Sequence, residues 1–224
     1  WTISRKVAEF NWSGDGEGWN TDSAGVWYVV YDKQQHSFSA TVSNKKEGDD
    51  VSIASYTDST ATNAGNYTAR VTSLRGTSAN NYQIDSTKAY QLWTIAKRAV
   101  EISWNKGVLI ETTGGFSATY SGEEIAFIPS LNVMEGDNVS VKTTLTLTSS
   151  GATVDRAVNA GSYKITIVDL EGDLSKNNYT LDSVATSERS RTWTIKPKEI
   201  TIQFPFESFT IDEGSRSIKT TYTG

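Results

Sequence analysis

The stretch "NAGNYTARV" at residues 63–71 returns as "NAGSYKITI" at 159–167. Each begins with Asn-Ala-Gly, where glycine supplies the positive φ or close approach that a tight turn requires. Each then passes an aromatic residue into strict alternation. Successive strand residues point to opposite faces, so Tyr67, Ala69 and Val71 share one side, as do Tyr163, Ile165 and Ile167. A turn followed by a half-buried strand has therefore been written twice.

Other words repeat in the same order. "WTI" stands at 1–3, 93–95 and 193–195, each time ahead of a basic cluster. Beyond each cluster comes another alternating strand, whose last apolar position is Trp12, Trp104 or Phe204. Tyr31-Asp32-Lys33 is matched by Tyr120-Ser121-Gly122 and Tyr222-Thr223-Gly224. Glu47-Gly48-Asp49 precedes Val51 as Glu135-Gly136-Asp137 precedes Val139, and Asn80-Asn81-Tyr82 is mirrored by Asn177-Asn178-Tyr179. The order never changes. It divides the chain into one unit at 1–96, a second at 97–196, and the opening strands of a third at 197–224.

Within the second unit, strands are expected near 93–104, 115–120, 124–128, 138–148, 161–169, 178–183 and 190–195, with room for one short helical turn in 171–178. Short strands broken by turn signals about every 8–12 residues fit an immunoglobulin-like β-sandwich without its disulfide. A β-grasp fold is the alternative, but it needs a helix of about ten residues, and no stretch has helical periodicity. Only a few residues separate one unit from the next, and Pro197 stiffens one of those links. Neighbouring units should form a semi-rigid rod, unlike modules on a Gly/Ser tether.

The bulk properties narrow the chemistry. With 37% hydrophobic residues the chain can build one large core or two smaller ones. A net charge of −5 without a basic face argues against nucleic acid. There is no cysteine, so disulfides, zinc-thiolate sites and cysteine nucleophiles are excluded. No apolar run is long enough to span a membrane. Trp1 falls in mid-pattern, with no initiator Met and no signal peptide, so the chain reads as a piece of something longer.

Taken together, Tyr120-Ser121-Gly122, Asn159-Ala160-Gly161-Ser162-Tyr163, Asn178-Tyr179-Thr180-Leu181 and Trp193-Thr194-Ile195-Lys196-Pro197-Lys198 resemble the MBG-type repeat. That family consists of mostly-β, Gly-containing modules arrayed in large bacterial surface proteins and adhesins. The resemblance covers both units nearly end to end. It implies an extracellular, surface-anchored protein whose modules contact their neighbours along the chain and present a binding region. The first unit departs from the pattern at Tyr31-Asp32-Lys33, which lacks the glycine, and in an additional aromatic stretch at 13–31.

That stretch holds the candidate site residues. Trp19, Trp27 and Tyr28 are aromatic surfaces on which a glycan or a host protein could stack, and Trp19, which has no counterpart in the second unit, is expected to be exposed. Asp15, Glu17 and Asp22 are hard oxygen ligands among glycines, a set calcium could use, although the spacing is not that of an EF-hand. The one histidine, His36, is expected on the surface, and nothing near it resembles a nucleophile elbow. The paired acids Glu123-Glu124 and Asp49-Asp50 point to opposite faces and make poor catalytic partners. The sequence therefore points to a non-enzymatic module, structural and adhesive or, alternatively, glycan- or host-protein-binding through 13–31.

Overall fold

Two similar five-stranded mixed sheets organise the chain. The computed structural model describes residues 1–201, 209–212, 214 and 217–220. In the first sheet the spatial order is Asn20–Thr21, Trp27–Val30, Tyr90–Ala96, Gly65–Arg75 and Ser52–Thr57. In the second it is Ile110–Thr112, Gly115–Thr119, Ser190–Lys196, Gly161–Gly172 and Val139–Leu147. Both open with a hairpin whose second strand lies parallel to the closing "WTI" strand. The repeated words fall in equivalent registers. Trp93 sits between Trp27 and Tyr67, and Trp193 sits between Phe116 and Tyr163.

Each large sheet has a smaller companion. In the first unit it is Phe10–Gly14, His36–Val42 and Thr60–Ala61, and in the second it is Ile102–Asn105 with Ile128–Leu131. The described residues contain no α-helix, only 3₁₀ turns at Ala79–Asn81 and Leu174–Asn178. The second of these falls within the expected helical turn, and its cap is Asp173, whose carboxylate accepts from the Ser175 amide.

Several expectations are corrected. The stretch 93–104 is not one strand: it breaks into the end of Tyr90–Ala96, then Arg98–Ala99, then Ile102–Asn105. The break lets Arg98–Ala99 pair in parallel with Tyr179–Thr180, as Lys6–Val7 pairs with Tyr82–Gln83. The strand expected at 124–128 forms instead at Ile128–Leu131. Nor is 13–31 an appendage, because it supplies the first hairpin of its sheet, where the second unit uses Ile110–Thr112 and Gly115–Thr119. In the stretch expected to open a third unit, Phe209–Asp212 and Ser217–Thr220 pair antiparallel, while Phe204 and Tyr222-Thr223-Gly224 lie outside the described residues.

Apolar burial holds the layers together. Phe38 stacks between Trp12 and Trp93, with ring centroids 6.0 Å from each. In the second unit Phe127 meets Trp104 and Trp193 edge-on. Each fully buried large side chain contributes about 1.5–3 kcal/mol. The clusters do not stop at the unit boundary. Val29, Tyr31, Phe38 and Trp93 belong to the same packed group as Val100, Ile167, Tyr179 and Leu181. The end of one unit thus rests on the beginning of the next.

Candidate functional site

The aromatic stretch packs more closely on its own sheet than expected. Trp19 is half-buried rather than exposed, with its ring 5.2 Å from Phe38 and 5.7 Å from Trp93. It lies so close over Gly14 that a Cβ there would fall 2.0 Å from the indole. Its Nε1 donates to the Asp15 carbonyl at 2.8 Å. Trp27 is also half-buried and packs 6.0 Å from Phe38. Tyr28, its neighbour on the strand, takes the opposite face, in register with Asn20 and Thr94. Trp19 and Trp27 are thus pins that fasten the hairpin to the core.

Two of the candidate calcium ligands, Asp15 and Asp22, serve local structure. Asp15 accepts from the Ser37 amide at 2.9 Å, and Asp22 accepts from the amides of Ala24 and Val26. Glu17 is exposed. Among the described residues, no three acidic, histidine or cysteine side chains converge in a way that could hold a metal ion. His36 is the other correction. It is only 7% exposed, with Nε2 2.9 Å from Asp32 Oδ1 and its ring edge-on to Trp19. The polar letters around it hide the fact that it opens a strand of alternating buried positions.

The arrangement that brings distant polar groups together lies instead where the two units meet. Asp137, from the second Glu-Gly-Asp turn, has a side chain only 6% exposed. Tyr179 of its own unit donates to it at 2.7 Å. From the first unit come the Tyr31 hydroxyl at 3.0 Å and the Lys33 ammonium, also at 3.0 Å. Lys33 Nζ further donates to the Glu135 carbonyl at 2.6 Å. A carboxylate that accepts from two hydroxyls and an ammonium is a charge-assisted clamp, stronger than neutral hydrogen bonds.

A second contact flanks the first. Asn178, 3% exposed, accepts from the Ala64 amide at 2.7 Å and donates to Asn63 Oδ1 at 3.2 Å. The Asn-Ala-Gly turn that opened the sequence analysis is therefore also a docking surface. The rings of Tyr31 and Tyr179 meet edge-on at 5.7 Å between these polar contacts. The sequence places Asn63 in a turn and Asn178 at the start of an expected strand, and shows Tyr31 and Asp137 as members of repeated words. The available signal was that all four belong to repeated words, which single turns do not require.

Titration follows from this geometry. Burial alone would push the Asp137 carboxyl up, but hydrogen bonds from Tyr179, Lys33 and Tyr31, with the charge of Lys33, outweigh it and hold the group below the ordinary carboxylate value. Burial and the hydrogen bond to Asp137 push the Tyr179 hydroxyl up to about 12. Burial, then Asp137, raise Tyr31 in the same direction. At neutral pH Asp137 is therefore a carboxylate and Tyr31 and Tyr179 are neutral phenols, the forms in which the hydroxyls donate to it. Comparison with models of known protein families, with curated proteins and with solved structures found no significant match.

Proposed function

We propose that the chain is a run of MBG-type modules from an extracellular bacterial surface protein, a non-enzymatic structural and adhesion-type segment of a semi-rigid rod. Each module is best read as a variant immunoglobulin-like sandwich, a five-stranded sheet faced by a smaller one. The observation that carries this reading is the clamp at Asp137, where one unit supplies an ammonium and a hydroxyl to a carboxylate of the next. A linker alone would leave the units free to swivel. A polar clamp flanked by an Asn contact and backed by continuous apolar packing favours one orientation. The aromatic stretch 13–31 serves the same end, since Trp19 and Trp27 stiffen the unit that delivers Tyr31 and Lys33.

Small-angle scattering of the whole chain tests the reading. A fixed junction gives a profile that one arrangement of the two units fits, and Asp137→Ala broadens it into a distribution. A wild-type profile that already requires a free hinge would overturn the proposal.

A further inference from the structure

The first unit carries the same constellation on its own leading face. Tyr82 donates to Asp49 at 2.7 Å and accepts from the Lys46 amide at 2.8 Å. Tyr179 does the same with Asp137 and the Met134 amide. Asn81 precedes Tyr82 as Asn178 precedes Tyr179. The linkers are held alike, Lys6–Val7 against Tyr82–Gln83 and Arg98–Ala99 against Tyr179–Thr180.

What differs is what these groups meet. Asn178 is buried beneath the first unit, whereas Asn81 is exposed and its side chain has no hydrogen-bond partner among the described residues. Asp137 gathers three side-chain donors, whereas Tyr82 is the side chain that hydrogen-bonds Asp49.

We propose that the face formed by Asp49, Tyr82 and Asn81 is a docking surface for a second module of this same kind. Such a module presents a strand-end tyrosine hydroxyl, with or without a lysine, to Asp49. It presents the backbone amide of an Asn-Ala-Gly turn to Asn81. The held linker sets the register, so docking adds contacts without requiring the leading face to rearrange. The inference rests on the tandem-module reading above, and its test separates the two.

In the test, a copy of residues 1–95 is joined to Ser4 of the full chain, so that the copy's own Trp93-Thr94-Ile95 replaces residues 1–3. Hydrogen–deuterium exchange is then followed at 45–51 and 81–84. Docking slows exchange there by roughly tenfold or more relative to the unextended chain, and Asp49→Ala in the extended chain removes the slowing. A copy that is protected along its closing strand while 45–51 and 81–84 exchange as before overturns the inference. So does a copy that fails to fold beside an intact resident unit, because the face then does not suffice to receive it. If scattering shows the Asp137 junction fixed while Asp49 receives nothing, this inference falls alone and the rod reading stands.

Discussion

Lys33 and Gly122 hold the same place in the two units, two residues beyond the tyrosine that follows the strand parallel to "WTI", with φ of 68° and 87°. Glycine adopts that backbone freely, whereas a side chain there costs about 1–2 kcal/mol. The first unit retains a lysine in the unfavourable conformation because that conformation aims its ammonium at Asp137 and the Glu135 carbonyl. Strain at this residue is thus tied to the junction. Lys33→Ala keeps the strain and loses the partners, so urea unfolding should show a loss of about 1–2 kcal/mol. Lys33→Gly loses the partners but also the strain, and should stay within about 1 kcal/mol of wild type. Scattering should nevertheless show a loosened junction in both variants, so stability and stiffness separate.

Removing Asp137 is more severe than removing its equivalent. Asp137→Ala leaves the hydroxyls of Tyr31 and Tyr179 and the Lys33 ammonium without their shared acceptor. A loss of about 2–4 kcal/mol is expected in chemical denaturation, because stranded buried donors cost more than the bonds they made. Asp137→Asn keeps one acceptor oxygen and should cost clearly less. Asp49→Ala breaks one hydrogen bond from Tyr82, and a loss of about 1 kcal/mol is expected.

The clamp should fail at both ends of the pH scale, with opposite chemistry. Asp137 titrates below its ordinary 3.8, so its contribution is complete above that value and is lost as pH falls through the lowered one. Tyr179 is raised from 10.0 to about 12, so its contribution is complete below 10.0 and disappears as pH rises toward 12. The turn residue Asp85 and the 3₁₀ cap Asp173 are also lowered, by hydrogen bonds from Thr87 and Ser175 respectively, and they add an acid sensitivity of their own. The discriminating measurement is therefore a difference. Between about pH 6 and pH 3, wild type should lose more stability than Asp137→Asn does.

Trp19 and Gly14 form a coupled pair. Trp19→Ala vacates a position packed on Phe38 and Trp93 and should cost about 2–4 kcal/mol in thermal or urea unfolding. Gly14→Ala drives a methyl group into the indole and should destabilise by about 1–3 kcal/mol. In the double variant the alanine at 14 occupies space the indole has left, so its added cost should shrink. A glycan array that changed with Trp19→Ala at unaltered stability would contradict the packing role.

What the sequence made legible was whatever recurs. The alternation around Tyr67 and Tyr163 placed two strands correctly, and each hydroxyl closes back on its own Asn-Ala-Gly turn, to the carbonyls of Asn63 and Asn159. The parallel pairing of Trp27–Val30 with Tyr90–Ala96 was not legible, because alternation reports which face is buried and not which strand lies alongside. Trp19 was misjudged because a Gly-rich polar stretch looks solvated, while burial depends on Phe38 and Trp93, far away in sequence. Asp137 was legible as part of the repeated Glu-Gly-Asp word, but such a word does not reveal that a neighbouring unit delivers donors to it. The same Gly-Asp in the first unit has no such visitor among the described residues.

The two central tryptophans should answer differently to the same change. Trp93 donates its Nε1 to the Asp58 carbonyl at 3.1 Å, and Asp58 itself is held at a φ of 51°. Trp193 is buried to a similar degree, yet its Nε1 has no hydrogen-bond partner among the described residues. A buried unpaired donor costs about 1–3 kcal/mol, so Trp193→Phe removes a liability together with part of a ring. Trp93→Phe removes the same part of a ring and strands the Asp58 carbonyl as well. Loss of apolar volume should be similar at both sites, since each indole packs on a tyrosine, Tyr67 or Tyr163. Trp93→Phe should therefore destabilise the chain by about 1–3 kcal/mol more than Trp193→Phe does in paired urea titrations. Equal losses would mean that the Trp193 nitrogen finds a partner in solution.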